Sequence, residues 1–367
     1  MALASERQEL ILALVRQSGT VRLADLVERL GVTAVTVRRD VTLLADRGLV
    51  QRVHGGVTRP SHPTPSAPTR PSGHTLIGMV VPTVEFYWPS VIKGAQGAVA
   101  AADGRLALRA SAYDAREDRR QVAGLLDRGA RALLVAPTVA GDAGADLLRW
   151  LGTLPVPVVL VERLPPPTLP TLALDAATTA HDLGAGLAVR HLVTLGHRRI
   201  AFITARFSPT THALREGWRT SAAALGLEAP TDLEFEVPPY GSRGWTDTYD
   251  DVLRRCREAR ATALFIHSDG EAIGMVERAR DHGLSVPGDL AVVSYDDEVA
   301  ATSDPPLTAV RPPKHQLGTT AADLALSRLT SPPTRPIHRV HLWPTLVIRA
   351  SCGAPGQEGA EGDAVSG

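Results

Sequence analysis

Lysine is almost missing from this sequence: of 39 basic residues only Lys93 and Lys314 are not arginine, a bias of codon usage rather than of chemistry. Cysteine is as rare. Cys256 and Cys352 stand far apart with no metal-ligand spacing, which argues against a disulfide framework or a zinc site and leaves two reduced thiols. No apolar run reaches the roughly 18 residues that a membrane span needs. The opening MALASERQELILALVRQ turns polar within a few residues, so no signal peptide is expected and a cytoplasmic location follows. Neither sign of charge is in excess, at 39 acidic and 39 basic residues. No Ser-His-Asp order, metal-ligand spacing or pair of carboxylates points to catalysis, so neither an enzyme nor a bound cofactor is expected.

What is present is enough chain for two or three units, 367 residues at 44% hydrophobic. Charge is unevenly spread. Residues 1–75 carry ten Arg against six acids, so about +4 sits on the first fifth of the chain and about −4 on the rest. Residues 59–75 then read as a spacer, with Pro60, Pro63, Pro65, Pro68 and Pro71 and almost nothing apolar to bury. At roughly 3.1 Å per residue in polyproline geometry it reaches on the order of 50 Å.

Before the spacer, residues 1–58 form a small head. Leu10, Ile11, Leu14 and Val15 have helical spacing, and Leu23, Leu26, Val27 and Leu30 give a second helix that Gly31 ends. Thr33 caps a third helix with its core face at Val37, Val41 and Leu44, which leaves Thr36, Arg38 and Arg39 pointing outward. Such a face either reads base edges in a major groove or is a solvated face beside Asp40. Residues 49–57 then alternate as two short strands, with Arg52 and His54 on the polar side and Gly55-Gly56 permitting a tight turn. A β-wing directly after such a helix contacts the DNA backbone or minor groove.

T-V-R-R-D at Thr36 to Asp40 and R-V-H-G-G at Arg52 to Gly56 resemble the DeoR-type winged helix-turn-helix. The resemblance implies a DNA-binding domain, with Thr33, Thr36, Arg38, Arg39, Arg52, His54 and Gly55 as its contacts to a double-stranded operator.

Residues 76–352 alternate buried-strand runs with helical patterns. Strands are expected at Leu76 to Val81, Leu106 to Ala110, Ala132 to Pro137 and Val156 to Glu162, with helices at Val91 to Ala102 and Asp118 to Leu126. The pattern restarts near Asp175 with a helix to Leu195, then strands at Ile200 to Ala205, Ala261 to His267 and Leu290 to Asp297, and helices at Leu214 to Leu225 and Glu271 to His282. That spacing gives an α/β body of two consecutive halves with parallel sheets and a cleft between them. Ligands of open α/β sheets settle at the C-terminal strand ends. There stand Glu85-Phe86-Tyr87-Trp88, Glu162-Arg163, Trp245, His267-Ser268-Asp269 and Tyr295-Asp296-Asp297, in a chain with only 4% aromatics. Flat rings, carboxylates and an arginine suit a small polyhydroxylated ligand. Individually, Asp296 and Asp297 could equally cap a helix and Trp88 could pack beneath a loop. The glycine-rich stretch Asp182 to Gly186 lies inside a helical pattern and reads as helix packing, not as a nucleotide loop.

H-L-V-T-L-G-H-R-R-I-A-F-I at His191 to Ile203, V-P-G-D-L-A-V-V-S-Y-D-D at Val286 to Asp297 and P-P-L-T-A-V-R at Pro305 to Arg311 resemble the effector domain of the LacI/GalR repressors, itself similar to periplasmic sugar-binding proteins. The resemblance implies a ligand-responsive transcriptional regulator, a homodimer with no membrane partner, that takes a sugar or a related polyol or nucleoside. Its ligand contacts would fall on Tyr87 or Trp88, on Glu162 where an Asp is usual, on Ser268 and Asp269, on Asp296 and on Trp245. The family's arginine position holds Leu214, with Arg215 one step later, so either Arg215 or Arg163 supplies the cation. The lactose-repressor head and its hinge helix are absent. A transport-type sugar-binding protein would instead need an export signal and no DNA head, and a sugar-processing enzyme would need a phosphate loop where Pro82-Thr83-Val84 stands. Residues 353–367, rich in Gly, Glu, Ala and Ser, read as a disordered tail.

Overall fold

The computed structural model describes residues 10–15, 19–30, 32, 37, 40–41, 44–45, 50–53, 56–58, 74–166, 168–206, 208–227, 233–332 and 334–354. The chain divides into two compact units, Met1–Ser72 and Gly73–Gly367.

In the first unit residues 10–15 are helical, β1 (Thr20–Arg22) leads into α1 (Leu23–Leu30), and β2 (Gln51–Val53) and β3 (Gly56–Thr58) form a hairpin. The sheet order is β1-β3-β2, all antiparallel, with Val21 opposite Val57 and Arg52 opposite Val57. Strand β1 is an addition to the sequence reading, because three residues are too few to show a period. Ile11, Val15, Leu26, Val37, Val41, Leu44 and Val57 close one apolar cluster, so the helical stripes do face inward.

The second unit has two lobes, each a sheet covered on both faces, parallel throughout in lobe 1 and parallel except for one antiparallel edge strand in lobe 2. Lobe 1 begins with β4 (Thr75–Val81), α2 (Trp88–Ala101), β5 (Gly104–Ala110), α3 (Ala115–Asp127), β6 (Ala132–Val135), α4 (Gly141–Leu151), β7 (Val158–Val161) and β8 (Asp175–Thr179). Lobe 2 runs through α5 (His181–Thr194), β9 (Ile200–Ala205), α6 (Thr211–Ala224), β10 (Glu234–Val237), α7 (Trp245–Glu258), β11 (Ala263–His267), α8 (Asp269–Asp281), β12 (Ala291–Tyr295) and β13 (Thr308–Arg311). The chain then returns to lobe 1 with α9 (Lys314–Thr330) and β14 (Arg339–Leu342), and ends in lobe 2 with β15 (Thr345–Val347). The sheet orders are β14-β8-β7-β6-β4-β5 and β10-β9-β11-β12-β13-β15.

Two expectations are corrected here. Residues 175–179 are not the start of a helix but a strand, paired with β7 on one side and β14 on the other. The sequence Asp-Ala-Ala-Thr-Thr has no apolar run to announce it, and its place is fixed by partners distant in the chain. Nor are the halves consecutive: the chain crosses between lobes at 179–181, 311–314 and 342–345.

Strands buried on both faces explain the unbroken apolar runs ALLV in β6 and VVLV in β7. Helices α2 and α9 cover one face of the lobe 1 sheet, and α3 and α4 the other. The α2–α9 crossing is close enough to require glycine on both sides: a Cβ on Gly94 would fall 1.9 Å from the His315 carbonyl oxygen, and one on Gly318 1.9 Å from that of Val91. Beneath them the buried Asp175 carboxylate accepts from Arg328 Nε at 2.7 Å and Nη2 at 2.9 Å, from Arg335 Nη1 at 2.7 Å and from the His338 amide at 2.6 Å. Local capping agrees with the fold. Asp114 accepts from the amides of Arg116 and Glu117 to start α3, and Ser268 and Glu271 form a capping box on α8.

Candidate effector site

The C-terminal ends of β4, β7, β9, β11 and β12 meet around a cavity of about 220 Å³, lined by residues that include Tyr87, Trp88, Glu162, Arg163, His181 and Asp296. At about 30 Å³ per water in the liquid, this is room for roughly seven waters or one small ligand. A larger groove of about 370 Å³ runs beside α5 and α6, but it is walled mainly by those two helices, with Trp343 and Pro344 at the β14–β15 link, and only that one strand end reaches it. Convergence of strand ends and polar groups, rather than volume, marks the smaller cavity as the site.

From lobe 1, the loop after β4 supplies three aromatics in three settings: Phe86 is 79% exposed, Tyr87 half-buried and Trp88 buried in the core. The Tyr87 hydroxyl donates to Glu162, and the Tyr87 ring stands edge-on to Trp88 at 5.7 Å between centroids. Glu162, in the left-handed region at φ 57°, accepts at both oxygens. The Thr179 amide donates to Oε2 at 3.0 Å, the Thr179 hydroxyl to Oε1 at 2.6 Å, and His181 Nε2 lies 3.3 Å from Oε2. Burial works against its ionisation, but the charge and hydrogen bond of His181 and the bonds from Thr179 outweigh it and hold the carboxyl down to about 2. Burial, then the charge of Glu162, push the Tyr87 phenol well above its ordinary range. Arg163 donates to the Glu162 carbonyl at 2.7 Å, and burial lowers its pKa.

From lobe 2, His267 Nε2 lies 3.5 Å from Asp296 Oδ2, and Asp296 sits at φ 98°. Such backbone conformations in a non-glycine residue are held only where the surroundings enforce them. Burial disfavours both charges, yet the bond and attraction between the two raise the His267 pKa and lower that of Asp296. Lys314, at the second crossover, donates to the Asp296 carbonyl, pairs with Glu298 and lies 5.6 Å from the centre of the Tyr87 ring. His267 Nδ1 is buried without a hydrogen-bond partner among the described residues.

The structure therefore brings Tyr87, Trp88, Glu162, Arg163, Ser268 and Asp296 together, but not Arg215, Trp245 or Asp269. Leu214 takes the inward position on α6 and is fully buried. One residue further turns a side chain by about 100°, and Arg215 instead pairs with Glu234 at 3.1 Å and Glu236 at 2.7 Å. Trp245, half-buried, stands edge-on between Tyr240 and Tyr249, at 4.9 and 5.1 Å, packed against the lobe 2 core. Asp269 points into the protein and accepts from the Ser294 hydroxyl at 2.7 Å and the amides of Glu298 and Val299 at 2.6 and 3.0 Å. Thr179, His181 and Tyr113 belong to the site without any signal in the sequence: Thr179 ends and His181 follows strand β8, which lacks an apolar run, and Tyr113 stands three residues past the end of β5. Thr33, Thr36, Arg38, Arg39, His54 and Gly55 lie outside the described residues; Arg52 belongs to β2, and its side chain is likewise outside them.

A periplasmic binding protein-like domain matches residues 189–352, and a DeoR-like helix-turn-helix domain matches residues 7–62. The regulator MalR of Streptomyces coelicolor is 34% identical over 246 residues, covering 64% of this chain and 68% of that protein. The chain belongs to the LacI/GalR family of transcriptional regulators. The arabinose metabolism transcriptional repressor of Geobacillus stearothermophilus is 27% identical over 325 residues, 86% of each chain. Among solved structures, a LacI family regulator from Enterococcus faecium with bound ribose shares the fold at a TM-score of 0.60 and 24% identity, over 76% of this chain and 98% of that one. Such relatives are regulators and not enzymes. This LacI/GalR member carries a DeoR-like head, as its two motifs imply. Among the described residues no helix is long and apolar enough to cross a membrane.

Proposed function

We propose that the chain is a cytoplasmic, homodimeric repressor of carbohydrate uptake or catabolism genes, whose operator affinity is changed by a small sugar-like effector. The head, residues 1–58, reads operator half-sites through Thr36, Arg38 and Arg39, with Thr33, Arg52, His54 and Gly55 at the backbone. The spacer, expected over 59–75 and shortened to 59–74 because Thr75 opens β4, joins it to the sensor, which runs to residue 352, and residues 353–367 form a tail. One observation supports the sensor reading above others: a cavity for one small molecule whose walls come from both lobes, with the Tyr87 ring and Arg163 on one side and Ser268, His267 and Asp296 on the other. A ligand touching both walls binds a closed arrangement better than an open one, and that difference is the energy available for regulation.

A thermal-shift screen of pentoses, hexoses and nucleosides tests the sensor. The hit should lose at least about tenfold in affinity in Asp296→Asn, the scale of one charge-assisted hydrogen bond. A hit unaffected by both Asp296→Asn and Arg163→Ala places the site elsewhere. Fluorescence anisotropy on DNA from upstream of the gene tests the head. Binding should weaken with salt, and Arg38→Ala with Arg39→Ala should lower the slope by about one for each phosphate that is no longer neutralised.

A further inference from the structure

At the first crossover His181 is bonded at both ring nitrogens, once to each lobe. Its Nε2 lies 3.3 Å from Glu162 Oε2 in lobe 1, its Nδ1 lies 2.7 Å from the Tyr295 hydroxyl at the end of β12 in lobe 2, and its side chain is 11% exposed. A carboxylate only accepts, so Nε2 carries the proton, and in the neutral ring Nδ1 accepts from Tyr295. Space for that contact is reserved on α5: a Cβ on Gly184 would fall 2.9 Å from the Tyr295 hydroxyl oxygen. Tyr295 immediately precedes Asp296, which lines the cavity, so the bond to the imidazole is anchored next to the lobe 2 wall.

Glu162 is saturated. Tyr87, the Thr179 amide, the Thr179 hydroxyl and His181 fill the roughly four lone-pair directions of its two oxygens. A ligand hydroxyl would have to displace one of these donors to reach it. The carboxylate is placed as a hub between the Tyr87 loop, the end of β8 and the crossover.

We propose that Glu162 and His181 are positioning residues rather than ligand contacts, and that His181 couples the lobe 1 wall of the cavity, Tyr87 and Glu162, to the lobe 2 wall at Tyr295 and Asp296. Only the regulatory consequence rests on the function proposed above: an occupant that moves the Tyr87 loop then biases the end of β12 through the imidazole.

The coupling is measurable in the ligand-free full-length chain. Glu162→Gln and Tyr295→Phe are made singly and together, with His181 intact and in a His181→Ala background, and unfolding midpoints are followed by tryptophan fluorescence. With His181 intact the two shifts should fail to add by at least about 2 °C, and in the His181→Ala background they should add within about 1 °C. Additivity with His181 present overturns the coupling, and non-additivity that survives His181→Ala overturns His181 as its carrier. Where Glu162→Gln does not fold, Tyr87→Phe replaces it, since that hydroxyl reaches the same carboxylate. The amide of His181→Gln reaches the Nε2 position and that of His181→Asn the Nδ1 position, so each variant should restore one contact and neither the coupling. In ¹⁵N spectra the neutral form of the His181 ring should carry its proton on Nε2 and none on Nδ1, whose signal should move in Tyr295→Phe; a protonated Nδ1 in the neutral ring refutes the arrangement. A sugar screen without hits leaves these results untouched, so the coupling and the effector reading fail in separate experiments.

Discussion

Removing the Asp175 carboxylate should destabilise the effector unit more than any change of similar size on its surface. The group is 2% exposed and accepts four hydrogen bonds, two from Arg328 and one each from Arg335 and the His338 amide. Asp175→Ala strands two largely buried guanidinium groups without a counter-ion, and breaking such a network from one side costs about 3–5 kcal/mol. For a unit of this size that lowers the midpoint by roughly 6–20 °C. Tryptophan fluorescence isolates the unit, because Trp88, Trp150, Trp218, Trp245 and Trp343 all lie in it. Adding Arg328→Met should recover part of the loss, since one stranded charge goes with it. Burial raises the Asp175 pKa, but the bonds from Arg328, His338 and Arg335 outweigh it and leave the folded pKa below its ordinary value. A depressed carboxylate stabilises the fold above its unfolded pKa of about 3.9 and loses that contribution as pH falls through the folded value. The gap between wild type and Asp175→Asn should therefore be full at neutral pH and shrink below about pH 4. An Asp175→Ala midpoint within about 3 °C of wild type at pH 7 would refute the reasoning.

Other predictions follow from single contacts. Gly318→Ala should cost about 2 kcal/mol or more, because the new Cβ meets the Val91 carbonyl at 1.9 Å, whereas Gly97→Ala on the same crossing pair, with nothing within 4 Å, should be neutral or stabilising by about 0.5–1 kcal/mol; urea unfolding of both compares them directly, and equal effects contradict the packing. Burial pushes the Cys256 thiol up to about 12, so iodoacetamide at pH 8 should label it only on unfolding. Mass spectrometry that finds Cys256 modified in the native protein refutes its enclosure. Ser294→Ala should cost about 1–3 kcal/mol, since it removes a donor from buried Asp269; an unchanged midpoint would mean that the carboxylate finds another partner.

The layers of this fold were legible because buried parallel strands announce themselves: Ile200–Ala205 was read without a shift at either end. Strand β8 was not, since two alanines and two threonines carry no period and are held by neighbours from residues 158–161 and 339–342. The same non-locality hid the return of α9 to lobe 1. In the site, the strand-end rule found Glu162, Arg163, Ser268 and Asp296, because position after a strand is a local property. It could not tell that Asp269 points into the protein, or that a one-residue offset on α6 turns Arg215 toward Glu234 and Glu236. His181 was out of reach for a third reason. Its importance lies in two partners, at 162 and 295, that no spacing connects.

The return of α9 also orders events during synthesis. Lobe 1 has most of its strands by residue 179, but Leu317, Ala321, Ala322 and Ala325, which cover Val91, Ala95, Leu134 and Val159, lie beyond residue 313. At about 5–20 residues per second, the ribosome needs on the order of 10–30 s to make the intervening segment. For that interval the part of the apolar sheet face that α2 does not cover waits open while all of lobe 2 except β15 is made ahead of α9. The crossovers thus make the lobe whose strands come first wait for its cover until nearly the whole chain has been made.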